Sequence, residues 1–361
     1  QLLELMTGGE LVSLICRFHR VDLQQMRYYR IDNRSGTIAL LRAMLLSGTD
    51  REKLTPLINA INRHEDWMQQ AATAVLLPFD SASFDRIDAH WQSELTYRSV
   101  ISVSNAWSAN LLPVVDWAMS QLQANPAKLV PHLCLALADI ALQRGDRASL
   151  QQALQGIEGG ACDALQAAAL IADGQWEIGQ KAYEAALKRG QTEFGVRKQV
   201  FPESIGWFYP LALLAQGSPK QLELARKFCI SEAGKRTPSA HDDWGRWVNA
   251  IDARFGNAPL VTSAFSLQDS AYERYSLALL WKVMLAAWIG SDTLGKAIVP
   301  GKASLLDGLR RRLQECRFNL LLRMLDSAEI VLSGGEPPAD FFVASKGEQW
   351  REVLSALQEL A

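Results

Sequence analysis

The chain has 361 residues, of which 48% are hydrophobic and 21% are charged, and its formal net charge at pH 7 is −2. This length and apolar content allow a sizeable core, and the near-neutral charge excludes a protein that wraps nucleic acid along its whole surface. A local basic patch is compatible with the same balance.

Both ends of the chain have helical patterns. Gln1–Met6 and Trp350–Ala361 each have the composition of a helix, and no capping signal closes the second one. A chain that starts and stops inside helices is typical of a piece of something longer. The sequence therefore predicts an internal fragment of a larger protein.

Between these ends, four segments have the pattern of two helices joined by a turn at a glycine. In chain order they are Leu40–Ile61 with Gly48, Leu135–Leu154 with Gly145, Asp163–Gly190 with Gly174, and Leu211–Ala225 with Gly217. Alternating runs of β-branched residues are nearly absent, so no sheet is expected. The predicted fold class is all-α.

Proline, glycine and polar residues mark the predicted breaks between helices. They lie at Pro78–Ser81, Asn125-Pro126, Gly190–Gly206, Ala233–His241, Phe255–Leu260 and Ser333–Pro338, and Pro126 is expected in the first turn of a helix. One helix is predicted over Ser304–Leu332. These breaks predict a helical domain over residues 1–332 with an interruption near 190–206, a linker over 333–347, and the start of a further helix over 348–361.

The clearest of the four helix pairs is Asp163–Gly190. Small residues such as Ala164, Ala168 and Ala169 let two helices approach closely, and Gly174 permits a tight exit from the first helix. Bulky aromatic residues then fill the gap to the next pair. The segment therefore predicts a closely packed helical hairpin.

In Gly174, Trp176, Tyr183, Ala186 and Leu187 this segment resembles a tetratricopeptide repeat. Gly179 stands where that family usually has alanine, Gly190 replaces the closing proline, and the first-helix tryptophan and Leu-Gly of the family are missing. The resemblance covers about 28 residues and implies a right-handed solenoid of stacked antiparallel helix pairs.

The other helix pairs repeat this pattern at irregular intervals. Gly145 and Gly174 are 29 residues apart, and Gly174 and Gly217 are 43 residues apart. Regular tetratricopeptide repeats recur about every 34 residues. The repeats are therefore expected to be degenerate, and the resemblance implies a scaffold that binds a protein or a peptide.

No motif for catalysis or cofactor binding stands out in the sequence. Gly301-Lys302 lacks the earlier glycine and the following serine or threonine of a phosphate-binding loop, and no strand precedes it. His241-Asp242-Asp243 places neighbouring side chains on different faces of a helix, which does not suit a metal. We therefore expect no enzymatic activity, no cofactor and no metal in this fragment, and leave the larger parent protein open.

The cysteines and the hydropathy of the chain indicate in which cellular compartment the protein is expected. The five cysteines are scattered singly among apolar positions, as expected for reduced core thiols of a cytoplasmic protein. They are Cys16, Cys134, Cys162, Cys229 and Cys316. The longest apolar stretch, Leu277–Gly290, is shorter than the roughly 20 residues that a membrane span needs, so no membrane partner is expected.

Aromatic and basic residues occur together near the centre of the chain. Candidates for partner binding are Arg197, Lys198, Trp207, Tyr209, Trp244, Arg246 and Trp247. One interpretation is a groove that grips a peptide or a nucleic-acid strand. The other is aromatic packing between hairpins, and the sequence favours this second interpretation.

Two alternatives to the interaction scaffold stay open. Glu348–Leu360 looks like the helix that precedes the motor region of large bacterial Snf2-type helicases, which implies a regulatory helical domain of a nucleic-acid ATPase. Nucleic acid would then be a partner through the parent protein. The third hypothesis is the helical sensor arm of a transcription regulator, which fits the same features.

Overall fold

The computed structural model describes residues 79–85, 89–125, 129–195, 203–233, 243–265, 277–289 and 303–333. Within these ranges all regular structure is helical and no strand occurs, which confirms the predicted all-α class. The α-helices are α1 (Ser81–Phe84), α2 (Ala89–Ala106), α3 (Leu112–Ala124), α4 (Pro131–Arg144), α5 (Arg147–Leu154), α6 (Gly160–Ala172), α7 (Trp176–Phe194), α8 (Glu203–Gly206), α9 (Phe208–Gln216), α10 (Pro219–Glu232), α11 (Asp243–Arg254), α12 (Leu277–Ile289), α13 (Ala303–Glu315) and α14 (Asn319–Leu332). Short 3-10 helices span Ala109–Leu111 and Thr262–Phe265.

The chain divides into two compact units. The first contains Gln1–Val103 and Ser108–Leu137, and the second contains Ser104–Trp107 and Ala138–Ala361. Helices α2 and α4 each contribute residues to both units. The predicted linker and terminal helix lie outside the described residues, except for Ser333.

The first unit buries aromatic and aliphatic side chains together. The ring of Phe84 packs edge-on against Phe79 and Trp117, with ring centroids 5.4 and 4.9 Å apart. Val114 and Val115 of α3 are fully buried. Because α3 combines apolar positions at helical spacing with Pro113 in its first turn, it forms where the sequence pattern favours it.

In the second unit, α6 and α7 form a close antiparallel hairpin. A Cβ placed on Gly179 would lie 2.5 Å from Cγ1 of Ile171, and one placed on Gly160 would lie 2.9 Å from the carbonyl oxygen of Ala186. The backbones approach this closely because both positions lack a side chain. The turn between the helices contains Gly174 at φ +78°.

The predicted glycine turns on either side of this hairpin are also confirmed. Gly145 and Gly217 have φ values of +74° and +65°. The residue after each glycine caps the next helix, since the side chain of Asp146 accepts a hydrogen bond from the Ser149 amide and that of Ser218 accepts one from the Gln221 amide. The predicted pair at Leu40–Ile61 lies outside the described residues.

The predicted end of a helix at Gly190 is wrong. Helix α7 continues through Gly190 and ends at Phe194, with Gly195 in the left-handed conformation as its cap. Gly190 is a buried residue of this helix, and its backbone lies close to Gly160 of α6. Asn125 follows the last residue of α3, and Pro126, which is predicted to lie in the first turn of a helix, lies outside the described residues.

The single helix predicted over Ser304–Leu332 is also wrong, because a turn divides it into α13 and α14. Arg317 in this turn has φ +58°, which is unusual for a residue with a side chain. Cys316 and Phe318, on either side of it, are completely buried. Packing of these two side chains therefore compensates a strained backbone where no glycine or proline marks a turn.

Successive helices of the second unit pack on one another. Helix α7 packs on α6 and α9, α9 on α10, α10 on α11, and α11 on α12. Ion pairs connect some of these neighbours, such as the one between Arg226 of α10 and Asp252 of α11, at 2.5 Å. This order places one face of α7 beside α9 and α10, where the candidate site lies.

Candidate functional site

The residues predicted to bind a partner fall into two groups. Arg197 and Lys198 lie outside the described residues. The other five lie on α9, on α11 or beside them, and all of them except Trp244 are buried. Partner binding by these residues stays a prediction, and their arrangement is one of internal packing.

Trp207 is at the centre of a tryptophan cluster formed with Trp244, Trp247 and Trp281. Its ring stacks on Trp244 with centroids 4.1 Å apart, and it lies 5.4 Å from Trp247 and 6.0 Å from Trp281. Trp207 is only 6% exposed, and Trp247 is completely buried. The cluster therefore fills the space between α9, α11 and α12, and leaves little aromatic surface for a ligand.

Arg246 forms hydrogen bonds within the protein. Its Nε donates to the carbonyl oxygen of Ala264 at 3.0 Å, and its Nη1 donates to Oδ1 of Asp243 at 2.7 Å. The side chain thereby connects α11 to the 3-10 helix Thr262–Phe265. A buried guanidinium that already has these partners offers less to an external ligand.

Helix α7 has two faces of opposite character. Gly179, Tyr183, Ala186 and Gly190 are all buried and follow the spacing of one helical stripe. Roughly opposite lies a second stripe with the same spacing, and all of its members are charged. They are Glu177, Lys181, Glu184 and Lys188.

The charged stripe of α7 forms one wall of an open groove with a volume of about 720 Å³. Helices α9 and α10 form the rest of it. The lining residues are Glu177, Gln180, Lys181, Glu184, Leu187, Lys188, Tyr209, Gln216, Lys220, Gln221 and Leu224. Polar and charged side chains dominate, so the groove suits a hydrated, polar ligand.

Three glutamines and Glu184 form a continuous hydrogen-bonded chain along the groove, here called the amide chain. Nε2 of Gln221 donates to Oε1 of Gln216 at 3.2 Å, and Nε2 of Gln216 donates to Oε1 of Gln180 at 2.7 Å. Nε2 of Gln180 then donates to Oε1 of Glu184 at 2.9 Å. The chain joins three helices and fixes the orientation of each amide.

Tyr209 closes the amide chain from α9. Its hydroxyl donates to Oε1 of Glu184 at 3.1 Å, and its ring stacks on Tyr183 with centroids 5.0 Å apart. Burial, and secondly the negative charge of Glu184, raise the pKa of Tyr209 above its usual value. Tyr209 therefore stays protonated and holds the carboxylate of Glu184 in place.

Some hydrogen-bonding capacity of the amide chain is unused. Gln180 and Gln221 each use one of the two N–H groups of their amides within the described residues. Oε1 of Gln221 is buried and has no hydrogen-bond partner there. The chain therefore offers further donors at defined positions along the groove.

The cysteine thiols in the described part of the chain are poorly suited to nucleophilic chemistry. As predicted, Cys134, Cys162, Cys229 and Cys316 are free and buried. Burial raises the pKa of all four thiols, that of Cys316 to about 11, which lowers their nucleophilicity.

No group of three or more metal-ligating side chains occurs among the described residues. None of the described helices is long and apolar enough to span a membrane.

The groove could not be predicted from the sequence. Gln180, Gln216 and Gln221 belong to three different helices, and no sequence spacing predicts that they meet. The available signal was the charged stripe of α7, which repeats the spacing of its buried stripe. Such a stripe is typical of a solvated helix face, so it does not by itself indicate a site.

Comparison with protein-family models, with curated proteins and with solved structures finds no match to this chain. The resemblance to tetratricopeptide repeats therefore rests on the residues of Asp163–Gly190 alone. The geometry of the groove is what supports a functional proposal.

Proposed function

We propose that this chain is a non-catalytic protein-interaction module whose groove between α7, α9 and α10 binds an extended peptide segment. In this proposal its helix pairs form a right-handed solenoid of degenerate, tetratricopeptide-like repeats. The glycine turns and the successive packing of α6, α7, α9, α10 and α11 support that arrangement.

The length of the groove is the main observation behind the proposal. From Glu177 to Lys188, α7 rises by about 16 Å along one wall of the groove. An extended chain rises about 3.3 Å per residue, so this wall is long enough for about five peptide residues.

The amide chain adds chemistry that suits a peptide backbone. An extended peptide presents carbonyl oxygens and N–H groups that need partners when water is displaced. The unused N–H groups of Gln180 and Gln221 suit its carbonyl oxygens, and the carboxylate of Glu184 suits its N–H groups. Because these side chains are already ordered by one another, binding costs little additional side-chain entropy.

The proposal can be tested with a displayed library of random dodecamer peptides and the 361-residue chain. We expect selected peptides to bind Gln180→Ala about fivefold more weakly than the unmodified chain, because one hydrogen bond to the peptide is lost. Gln151→Ala is the matched control, since Gln151 is an exposed glutamine on α5. Its affinity should be unchanged.

Two outcomes would contradict this function. One is a library that yields no binding peptide. The other is a set of selected peptides that bind Gln180→Ala and the unmodified chain equally well. The circular dichroism of each variant shows whether its helices remain intact.

A further inference from the structure

We infer that the groove selects acidic peptide segments, which bind to Lys181 and Lys188 of α7 and Lys220 of α10. This inference rests on the proposed function, because it specifies the ligand of the same groove. It adds a requirement for carboxylates in the bound peptide.

The three lysines have no ion-pair partner among the described residues, although acidic side chains lie near them. Glu177 precedes Lys181 by one helical turn, yet no ion pair joins them. Oε1 of Glu184 accepts hydrogen bonds from Gln180 and Tyr209 instead. The ammonium groups therefore remain available at the rim of the groove.

Other basic residues of the same unit are neutralised locally. Arg189 forms ion pairs with Glu158, Asp163 and Glu193, and Lys227 lies 3.4 Å from Glu223. With three lysines and two glutamates, the groove lining has an excess of positive charge within a chain of net charge −2. This local excess favours an anionic ligand.

The spacing of the lysines suggests how the acidic residues are arranged. Lys181 and Lys188 are two turns apart on α7, so their Cα atoms are separated by about 10.5 Å along the helix axis. Three residues of a polyproline II segment span about 9.3 Å, and residues three apart face the same side. A peptide with acidic side chains three positions apart can therefore reach both lysines.

A nucleic-acid strand fits the groove less well than such a peptide. Binding of single strands without sequence preference relies on exposed aromatic rings on which the bases stack. Tyr209 is the aromatic residue of the lining, but it is 5% exposed and its ring already stacks on Tyr183. The groove thus has the charge for a polyanion but lacks a stacking surface.

The test is fluorescence anisotropy with the full chain and three labelled probes. The first is a proline- and serine-based hexapeptide with glutamate at its second and fifth positions. The second is the same peptide with glutamine at both positions, and the third is a single-stranded oligodeoxynucleotide. We expect the acidic peptide to bind at least about tenfold more tightly than the glutamine peptide at low ionic strength, where exposed charges are least screened.

Two variants test whether this preference for the acidic peptide depends on the lysines of the groove. The double change Lys181→Gln with Lys188→Gln should remove most of the tenfold difference, because it removes both ammonium groups of α7. The control is the single change Lys227→Gln, because Lys227 lies on α10 but outside the groove lining. It should leave the difference intact.

The results distinguish this inference from the proposed function. Equal binding of the acidic and glutamine peptides overturns the charge selectivity and leaves peptide binding in place. Absence of binding by both peptides overturns the selectivity too, and the random library then shows whether the groove binds any peptide. Tighter binding of the oligodeoxynucleotide, lost in the double variant, would assign the lysines to nucleic acid instead.

Discussion

Gly160 and Gly179 show how single residues control the distance between two helices. The three atoms nearest to a Cβ on Gly160 would all be backbone atoms, namely the Ala186 oxygen at 2.9 Å and the nitrogen and Cα of Gly190 at 2.9 and 3.0 Å. The atom nearest to a Cβ on Gly179 would be the side-chain Cγ1 of Ile171 at 2.5 Å, followed by the Ile171 nitrogen at 3.0 Å and the Ala167 oxygen at 3.2 Å. Backbone atoms cannot move without displacing a helix, whereas a side chain can adjust in part.

We therefore predict that Gly160→Ala destabilises the chain more than Gly179→Ala does. Overpacking costs about 1–3 kcal/mol, and the better helix propensity of alanine offsets about 1 kcal/mol of it inside α7. The net loss should be about 2 kcal/mol or more for Gly160→Ala and about 1 kcal/mol for Gly179→Ala. Urea unfolding followed by circular dichroism measures both.

Ala185→Ser is the control for these two variants, because Ala185 is exposed on the same helix. It should shift the urea midpoint little. Unchanged or higher stability of Gly160→Ala would show that α6 and α7 are not as close as described. Gly179→Ala introduces the residue that tetratricopeptide repeats usually have at this position, so its effect on stability tests whether this hairpin is packed more tightly than such a repeat.

Tyr183 and Tyr209 form a second pair of residues with a measurable consequence. Burial is the main cause that raises the pKa of both hydroxyls, and Glu232 and Glu184 respectively add to it. An unfolded tyrosine has a pKa of about 10. Since the folded pKa is higher, the corresponding stability is complete below about pH 10 and is lost as the pH rises towards the folded pKa.

We predict that the urea midpoint falls steeply above about pH 10, and that part of the phenolate absorbance develops later in the native chain than in the unfolded chain. Tyr209→Phe should reduce the phenolate absorbance that develops late in the native chain by the contribution of one tyrosine. A native titration curve that coincides with that of the unfolded chain would contradict the burial of both hydroxyls.

At the scale of helices, the glycine turns could be predicted but the turn before α14 could not. Gly145, Gly174 and Gly217 stand between apolar runs of helical spacing, and each has the positive φ that only glycine adopts easily. Arg317 adopts a positive φ without any local signal. That turn depends on the burial of Cys316 and Phe318, which is a tertiary effect.

The candidate site was hidden for a related reason. The local pattern identifies α7 as a helix with one buried stripe, but it does not tell whether its charged stripe faces solvent or a groove. That depends on where α9 and α10 lie, and therefore on contacts between residues distant in sequence. The tryptophans are candidates because tryptophan is a rare residue. A tryptophan in the sequence is, however, as consistent with packing in the core as with binding of a partner.

At the scale of the whole molecule, charge is the property that separates the remaining hypotheses. The 37 lysines and arginines are outnumbered by 39 aspartates and glutamates. A regulatory domain that grips DNA directly needs several cationic contacts to phosphate, and its affinity then depends strongly on salt. A peptide-binding module has no such requirement.

We predict that the full chain binds duplex DNA weakly, with little dependence of affinity on salt concentration. Fluorescence anisotropy of a labelled duplex, repeated over a series of salt concentrations, measures this slope. A steep loss of affinity with rising salt would favour the regulatory domain of a nucleic-acid ATPase over the interaction module. The peptide probes under the same conditions serve as the positive control.

The two opposite stripes of α7 have a consequence for how such a protein can evolve. Gly179, Tyr183, Ala186 and Gly190 determine how the helix packs, whereas Lys181, Glu184 and Lys188 face the groove. In the proposed peptide-binding module, mutations in the second set can alter ligand preference without disturbing the first set. Helix α7 would then acquire a new specificity by changes on one face, while selection for folding acts on the other.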